Sequence, residues 1–255
     1  MRPTELIAEA HSSHSSAFAR RLLVTQKLPP RNLYESIGIL SLLHDSSFHF
    51  SYLSSFVRKP FFRELPGLPK CEGGVNSAHL FPFFAERVIS SERPDRFRAL
   101  SYLNLEESAD PFEILARSGG SRINDHLELL PFPFPVGSGW HSVTFFVHGV
   151  RHLDAISRNA LDRLYPDVSL ELDREPSNPE SELALRVSHN GTPLGYVPHP
   201  LLNFVFSAVA TDNYTLTVVR RNSADAGFHQ RLLVKLDYRP NRGDVPFFGV
   251  DLEEF

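Results

Sequence analysis

Three short segments in the second half of the chain carry residue types that contact phosphates and stack on bases. The first, Val147-His148-Gly149-Val150-Arg151-His152, ends an apolar stretch. The second, Arg174-Glu175-Pro176-Ser177-Asn178-Pro179, is a polar turn with two prolines, and the third, residues 190–198, reads Asn-Gly-Thr-Pro-Leu-Gly-Tyr-Val-Pro. An Arg guanidinium offers a rigid fork of donors to phosphate, and aromatic faces stack bases without reading their sequence. Each segment taken alone is also typical of ordinary loops on a β-rich domain.

Sequence signals for catalysis or metal binding are missing. The chain has no P-loop pattern, no protein-kinase catalytic loop and no Gly-x-Ser-x-Gly elbow. The stretch Ser118-Gly119-Gly120-Ser121-Arg122 superficially resembles a phosphate cradle, but it follows a predicted helix and is typical of a helix end. The twelve His residues include no helical His pair with a supporting carboxylate, and Cys71 stands alone. We therefore predict no catalysis, no metal and no cofactor, and rank an uncharacterised hydrolase last.

Charge and hydropathy restrict the partners further. The net charge is −4, and residues 140–240 carry 10 basic and 11 acidic side chains. A long duplex requires a broad basic surface, so any nucleic-acid contact must be a small local site. No run of 18 apolar residues and no secretory signal pattern occurs, so we expect a cytoplasmic protein without a membrane partner.

A Pro- and Gly-rich stretch suggests a domain boundary. Pro131-Phe132-Pro133-Phe134-Pro135 is followed by Gly137-Ser138-Gly139, and alternating prolines cannot donate to a strand ladder. We expect a hinge here. The predicted division is a weakly structured lead-in over 1–27 with a short helix around 17–23, an α+β domain over 28–135, a β-rich module over 140–240 and a loosely docked acidic tail over 241–255.

The expected elements give an α+β fold class. The first domain shows a hairpin over residues 34–52 and three helical segments, over 80–90, 95–103 and 111–117. The second shows six short strands and one helix, over 201–209, and Asn190-Gly191 is a strong hairpin-turn signal. Many short strands within about a hundred residues predict a small closed or partly closed β-barrel.

The order and spacing of the three segments resemble a HIRAN domain over about residues 141–240. This resemblance implies a modified OB barrel that captures the 3′ end of single-stranded DNA. By position, Arg151 would meet backbone phosphate and His152 would stack on a base. Arg174 belongs to the same predicted set. Asn178 and Ser181 would shape the end pocket, and Tyr196 and His199 would line its far side.

Two positions of the end pocket depart from the family pattern. The HIRAN domain that captures a 3′ end has an aromatic residue at the first of these positions and, at the second, an Asp that holds the terminal hydroxyl. This chain has Glu180 and Ser181 there. A Glu cannot stack, its charge repels phosphate, and a Ser hydroxyl binds a terminal hydroxyl more weakly than a carboxylate does. The resemblance therefore implies strand binding with little reading of a free 3′ hydroxyl.

The first half has a fainter similarity to another family. The segments Ile37-Gly38-Ile39-Leu40, Phe81-Pro82-Phe83-Phe84 and Asp110-Pro111-Phe112-Glu113 follow one another in an order that resembles the N-terminal subdomain of HipA-type kinases. That resemblance implies a protein-binding domain. The leading hypothesis is a non-enzymatic binder of single-stranded DNA or DNA ends, in a DNA-repair, mobile-element or toxin–antitoxin setting. The alternative is a regulator that binds a kinase core or a helix-turn-helix partner through its first domain.

Overall fold

The computed structural model describes residues 18–28, 33–120, 122, 126–179, 181–210, 213–240 and 252–255. The chain forms two compact units. The first contains residues 1–88, 111–132 and 251–255, and the second contains residues 89–110 and 133–250. Within the described ranges the strands are β1 Phe18–Leu28, β2 Leu33–Leu43, β3 Phe48–Tyr52, β4 Val75–Ser77, β5 Leu127–Pro131, β6 Phe134–Gly137, β7 Trp140–Phe146, β8 Ser169–Arg174, β9 Leu185–His189, β10 Thr192–Tyr196, β11 Tyr214–Arg221 and β12 Leu232–Tyr238. The α-helices of the same ranges are α1 Ser54–Val57, α2 Pro82–Ala85, α3 Arg96–Tyr102, α4 Pro111–Ser118, α5 Ala155–Asp162 and α6 Leu202–Val209.

A five-stranded antiparallel sheet organises the first unit, in the order β4-β3-β2-β1-β5. Its strand β1 occupies the region predicted as a lead-in with a short helix. β2 and β5 pair with the two edges of this strand, and Leu22, Leu23 and Val24 are at most 1% exposed, so both faces of the strand are covered there. A strand buried on both faces reads as a continuous apolar run. The apolar run of β1 is short and follows two arginines. The sequence therefore lacks the alternation of apolar and polar residues that would predict a strand.

Phenylalanines build the core of the first unit. Phe50, Phe84 and Phe112 are at most 1% exposed, and the rings of Phe50 and Phe84 lie 5.7 Å apart. Phe84 belongs to α2, which is only four residues long rather than the helix predicted over 80–90. Pro82 begins α2, and Phe84 supplies its buried contact. The abundance of Phe in this chain is therefore partly a packing feature of the first unit.

A seven-stranded antiparallel sheet organises the second unit, in the order β10-β9-β8-β11-β12-β7-β6. The α+β class predicted from the sequence is confirmed, but the described strands do not form a closed barrel. One isolated bridge, between His148 and Tyr196, connects the chain just after β7 with β10. The sheet therefore curls so that these two parts meet at a single residue pair, where a closed barrel would have a continuous ladder.

The boundary region differs from the predicted hinge. Residues 134–137 form β6, which pairs with β7 through Phe134↔Ser142 and Pro135↔His141. Prolines are tolerated there because β6 is an edge strand with one free side. The Pro/Gly stretch is thus partly ordered sheet, and the chain leaves the first unit after Phe132 rather than after Pro135.

The two units are not consecutive in sequence as the predicted division has it. Residues 89–110, which include α3, belong to the second unit. Asn222, which is 3% exposed, donates from Nδ2 to the carbonyl oxygens of Tyr102 (2.7 Å) and Gln230 (2.6 Å). This buried amide ties the end of α3 to the second unit. Contacts of that kind join residues far apart in sequence and leave no local sequence signal.

Short helices complete the second unit. α5 was not predicted, although Asp154 caps it by accepting from the Ser157 backbone N–H at 2.7 Å. α6 lies within the predicted range of 201–209. Among the residues described above, no helix combines the length and apolar character that crossing a bilayer requires.

Candidate nucleic-acid interface

The β9–β10 hairpin positions Tyr196. Its turn residues Asn190 and Gly191 have φ values of 50° and 74°, the left-handed pair that a two-residue hairpin of type I′ requires. The turn predicted from this dipeptide is therefore confirmed. A register shift between Pro193 and Gly195 then brings Tyr196 opposite Arg186 at the end of β10.

Two glycines allow the first and third segments to meet. Gly195 has a φ of 134°, and a Cβ atom there would lie 2.3 Å from the His148 carbonyl oxygen. Gly149 has a φ of 76°, and its Cβ would lie 3.1 Å from Cδ2 of Tyr196. This close approach permits two backbone hydrogen bonds between His148 and Tyr196, each 2.9 Å long. Two segments about fifty residues apart thereby form one surface.

Arg151 and His152 lie on the 3-10 turn that follows Gly149. Both side chains are exposed. Nε of Arg151 donates to Nε2 of His152 at 2.8 Å, and Nη2 of Arg158 donates to the Arg151 carbonyl oxygen at 3.2 Å. The terminal amino groups of Arg151 point to no carboxylate within the described residues. A phosphate could therefore be bound there without breaking an ion pair.

The second segment reaches the same surface through Tyr196. Nδ2 of Asn178 donates to Oε2 of Glu175 at 2.9 Å, and the Tyr196 hydroxyl lies close enough to the same carboxylate for each group to shift the pKa of the other. The hydrogen bond from Asn178, and then the Tyr196 hydroxyl, lower the pKa of Glu175. Burial, and then the Glu175 carboxylate, raise the pKa of Tyr196. An ionised carboxylate therefore holds the Tyr196 ring and the Asn178 amide in place.

The contacts identified for the other three predicted residues do not involve Arg151, His152, Asn178 or Tyr196. The guanidinium of Arg174 lies 3.8 Å above the ring centroid of Phe206 in α6. The Ser181 hydroxyl accepts from the Leu183 N–H at 3.2 Å within its own turn, and His199 is exposed in the 3-10 turn after β10. Glu180 lies outside the described residues. The structure therefore brings Arg151, His152, Asn178 and Tyr196 to one region of the second unit.

His148 remains neutral in this region. Burial, and then the charge of His229, lower the pKa of the His148 imidazole to about 4. Its ring packs edge-on to His229 with 6.4 Å between the centroids. A neutral, packed His148 cannot supply a cation to phosphate. The described residues contain no group of three or more His, Cys, Asp or Glu that could hold a metal ion.

A second surface of the same unit combines aromatic residues with a cation. Phe134, Trp140 and Lys235 line a shallow groove on the sheet, and Phe134 is 56% exposed. Nζ of Lys235, however, lies 2.9 Å from Oδ2 of Asp237, which also lines the groove. That carboxylate neutralises the lysine and repels phosphate. The surface beside Gly149 is the better candidate.

Comparison with known proteins gives only partial likenesses. No family model matches the sequence, and no curated protein matches it. A crystal structure of a protein from Lactobacillus plantarum shares 22% identity over 39% of this chain and 97% of its own, with a TM-score of 0.32. The crystal structure of the HIRAN domain of human HLTF shares 18% identity over 38% of this chain and 74% of its own, with a TM-score of 0.30. The resemblance to HipA-type kinases finds no support in these comparisons and stays a prediction.

Some residues of the region were not singled out from the sequence. Glu175 orients both Asn178 and Tyr196, and Arg186 approaches Glu175 with 3.9 Å between Nη1 and Oε1. Glu175 lies in the turn segment Arg174–Pro179, three residues before Asn178, and this spacing of an acid and a turn Asn was the available signal. Arg186 offered none, because its contact depends on the register of β8 with β9.

Proposed function

We propose that the second unit binds single-stranded nucleic acid through the surface formed by Arg151, His152, Asn178 and Tyr196, and that the chain acts by binding rather than by catalysis. Arg151 would contact a backbone phosphate and His152 would stack on a base. The Asn178 amide and the Tyr196 ring would form the wall beside the strand. Single strands or strand ends of DNA are the substrate class.

One observation carries this proposal. The paired hydrogen bonds between His148 and Tyr196 bring the turn that bears Arg151 next to the hairpin. The Glu175 carboxylate then joins the Asn178 turn to the same ring. Three segments separated in sequence thus converge where an exposed arginine has no acidic partner among the described residues. Aromatic stacking plus a few phosphate contacts is the usual means of binding single strands without sequence preference.

The near-neutral charge of this part of the chain sets the expected strength. Residues 140–240 have one more acidic than basic side chain, so no broad field adds to the local contacts. We expect modest affinity and a shallow salt dependence that corresponds to about one to three phosphate contacts. Fluorescence anisotropy of short labelled thymidine strands at increasing salt concentration measures both quantities on the full chain.

Arg151→Ala is the substitution that tests the site. It should weaken binding by about 1–3 kcal/mol, the worth of hydrogen bonds to a charged group. Arg239→Ala is the matched control, because Arg239 is also exposed. It follows the C-terminal end of β12, which pairs with the start of β7, whereas the turn after Gly149 follows the end of β7. Absence of measurable binding at low salt, or equal binding by the Arg151 and Arg239 variants, would remove this function from the second unit.

A further inference from the structure

The segment Leu252–Phe255, called here the docked segment, adds to the edge of β3 in the first unit. The Phe255 N–H donates to the Tyr52 carbonyl oxygen at 2.8 Å, and the Ser54 N–H donates to the Glu253 carbonyl oxygen at 2.7 Å. Glu254 lies opposite Leu53 in an antiparallel bridge. An extended peptide that pairs with a sheet edge in this way is β-strand addition.

The docked segment occupies the part of the β3 edge that β4 leaves open. β4 pairs antiparallel with Phe48–Phe50, and the docked segment pairs with the residues that follow, in the same direction as β4. The Gly73 N–H, just before β4, donates to the Phe255 carbonyl oxygen at 2.9 Å. The opposite edge of β3 is filled by β2. The open edge is thus a short, defined slot of about three residues.

Cationic side chains around the slot match the acidic residues of the docked segment. Nη2 of Arg21 lies 2.6 Å from Oε1 of Glu254, and Nε2 of His49 lies 3.6 Å from Oε2 of the same carboxylate. Arg58 approaches Glu253 at 3.4 Å. The Arg21–Glu254 pair is the strongest of these contacts, because both side chains are only 25% exposed and the bond is charge-assisted.

An aromatic contact completes the slot. Nζ of Lys70 lies 4.7 Å from the centroid of the Phe255 ring, a cation–π arrangement. The Ser51 hydroxyl also donates to the Phe255 carbonyl oxygen at 3.3 Å. The slot therefore distinguishes three consecutive positions, two acidic and one aromatic, along an extended backbone.

The docked segment is held as a ligand is held rather than as part of the core. Glu253 is exposed, and Leu252, Glu254 and Phe255 are only half-buried. Its contacts include backbone hydrogen bonds, ionic contacts of Glu253 and Glu254, the hydroxyl of Ser51 and one ring contact. We propose that the β3 edge with Arg21, His49 and Lys70 is an exchangeable recognition site for an extended peptide of the pattern acidic-acidic-aromatic, which the docked segment occupies in cis. A protein chain that presents this pattern is the partner the site fits.

A direct test leaves every residue of the slot native and labels only the docked segment. 4-Fluorophenylalanine at position 255 reports the docked ring by fluorine NMR. The competitor is an unlabelled, amidated peptide of sequence Val-Asp-Leu-Glu-Glu-Phe, residues 250–255. Because an attached segment competes at an effective concentration on the order of 1 mM, the peptide is added to several times that level. We expect a second resonance at the position of the free ring to grow with the peptide, and no change with Val-Asp-Leu-Lys-Lys-Phe.

A variant pair tests the same site from the other side. Glu254→Lys in the full chain weakens the docking of the docked segment. A labelled Val-Asp-Leu-Glu-Glu-Phe peptide should therefore bind to this variant at least about tenfold more tightly than to the native chain. Glu107→Lys changes the charge equally at an exposed position outside the first unit and should have no effect. Adding Arg21→Glu to Glu254→Lys should remove the gain.

Two results would overturn the proposal. One is a fluorine resonance that stays in place at every peptide concentration. The other is peptide binding by Glu254→Lys that equals binding by Glu107→Lys while both variants keep the native circular dichroism spectrum. Should Glu254→Lys fail to fold, the fluorine experiment on the native sequence decides alone. Neither readout involves nucleic acid, so both are independent of the function proposed for the second unit.

Discussion

The two units use their surface cations in opposite ways. At the β3 edge of the first unit, Arg21 and His49 face Glu254, and Arg58 faces Glu253. On the turn after Gly149 in the second unit, Arg151 has no carboxylate partner among the described residues and donates to a neighbouring imidazole instead. A cation that is paired with a carboxylate of the same chain can bind another anion only after that carboxylate has been displaced. A cation without such a partner is available at once.

From this difference we propose a separate type of ligand for each unit. The slot at β3 provides an open strand edge, which suits a peptide backbone and adds specificity through side chains on either side. The turn after Gly149 provides an exposed guanidinium beside aromatic rings, which suits phosphate and bases. The net charge of each half of the chain does not distinguish these two surfaces, because both halves are close to neutral.

The largest expected effect is on the assembly of the second surface. Gly195→Ala places a Cβ atom 2.3 Å from the His148 carbonyl oxygen at a φ of 134°, so the bridge that brings the segments together cannot form. We expect a loss of about 3–4 kcal/mol in the free energy of unfolding, measured by denaturant titration. Gly191→Ala is the control, since its Cβ meets nothing within 4 Å, and should cost about 1 kcal/mol. Equal losses would mean that close approach at Gly195 does not hold the surface together.

His152→Ala tests the stacking contact. If the ring stacks on a base, its removal should weaken binding to thymidine strands by about 1–3 kcal/mol, with the salt dependence unchanged. Anisotropy titrations at two salt concentrations separate the two quantities. His44→Ala, at an exposed position in the turn between β2 and β3, is the matched control. A variant that binds as tightly as the native chain would limit the site to its phosphate contact.

A smaller effect concerns pH at the β3 edge. The hydrogen bond to Glu254 raises the pKa of His49 above its ordinary value, with a further contribution from Asn76, while burial and Arg21 act in the opposite direction. A raised pKa contributes stability that is present below the ordinary value of about 6.5 and is lost as the pH rises through the raised value. Docking of Leu252–Phe255 should therefore be weaker at pH 8 than at pH 6, by less than about 1 kcal/mol.

His49→Gln provides the comparison for this pH effect. A glutamine can still contact Asn76 and Glu254 but does not titrate. The fluorine signal of a fluorinated Phe255 reports the docked fraction at both pH values in both chains. The same pH dependence in the glutamine variant would show that another group is responsible.

The smallest expected effect concerns the strand end. Because Ser181 stands where the resembled family has an Asp, a phosphate on the 3′ hydroxyl should change the affinity for a short strand by less than about twofold, or about 0.4 kcal/mol. Paired anisotropy titrations with free and 3′-phosphorylated strands of equal length measure this change. A large loss on phosphorylation would indicate that the second unit reads a free end.

Local patterns in the sequence predicted local structure well. Asn190-Gly191 specified its hairpin because both positions need a positive φ, and α4 begins at Pro111, directly after Asp110, in the range predicted as helical. The resemblance to HIRAN domains implied one site with seven residues from the three segments and the residues beside them, and the structure brings four of these, Arg151, His152, Asn178 and Tyr196, to one region. The roles of these residues in binding stay predictions.

Features that depend on distant partners were not predictable in the same way. The short apolar run of β1 does not predict a strand, and its place in the sheet depends on pairing with β5, about a hundred residues away. The docking of Glu254 against Arg21 likewise joins residues 233 positions apart, and the segment was expected to be loosely held. The choice between a closed and a partly closed barrel was open for a similar reason, because ring closure depends on where His148 meets Tyr196 and strand count does not determine it.

Photocrosslinking tests the division between the two surfaces most directly. A short strand that carries 5-iodouracil at each position in turn is irradiated with the full chain, and the crosslinked peptides are identified by mass spectrometry. We predict crosslinks within residues 149–152 and at Tyr196, reduced by Arg151→Ala, and none within β1 or β3. Crosslinks concentrated at Phe134 and Trp140, or at the β3 edge, would contradict the account.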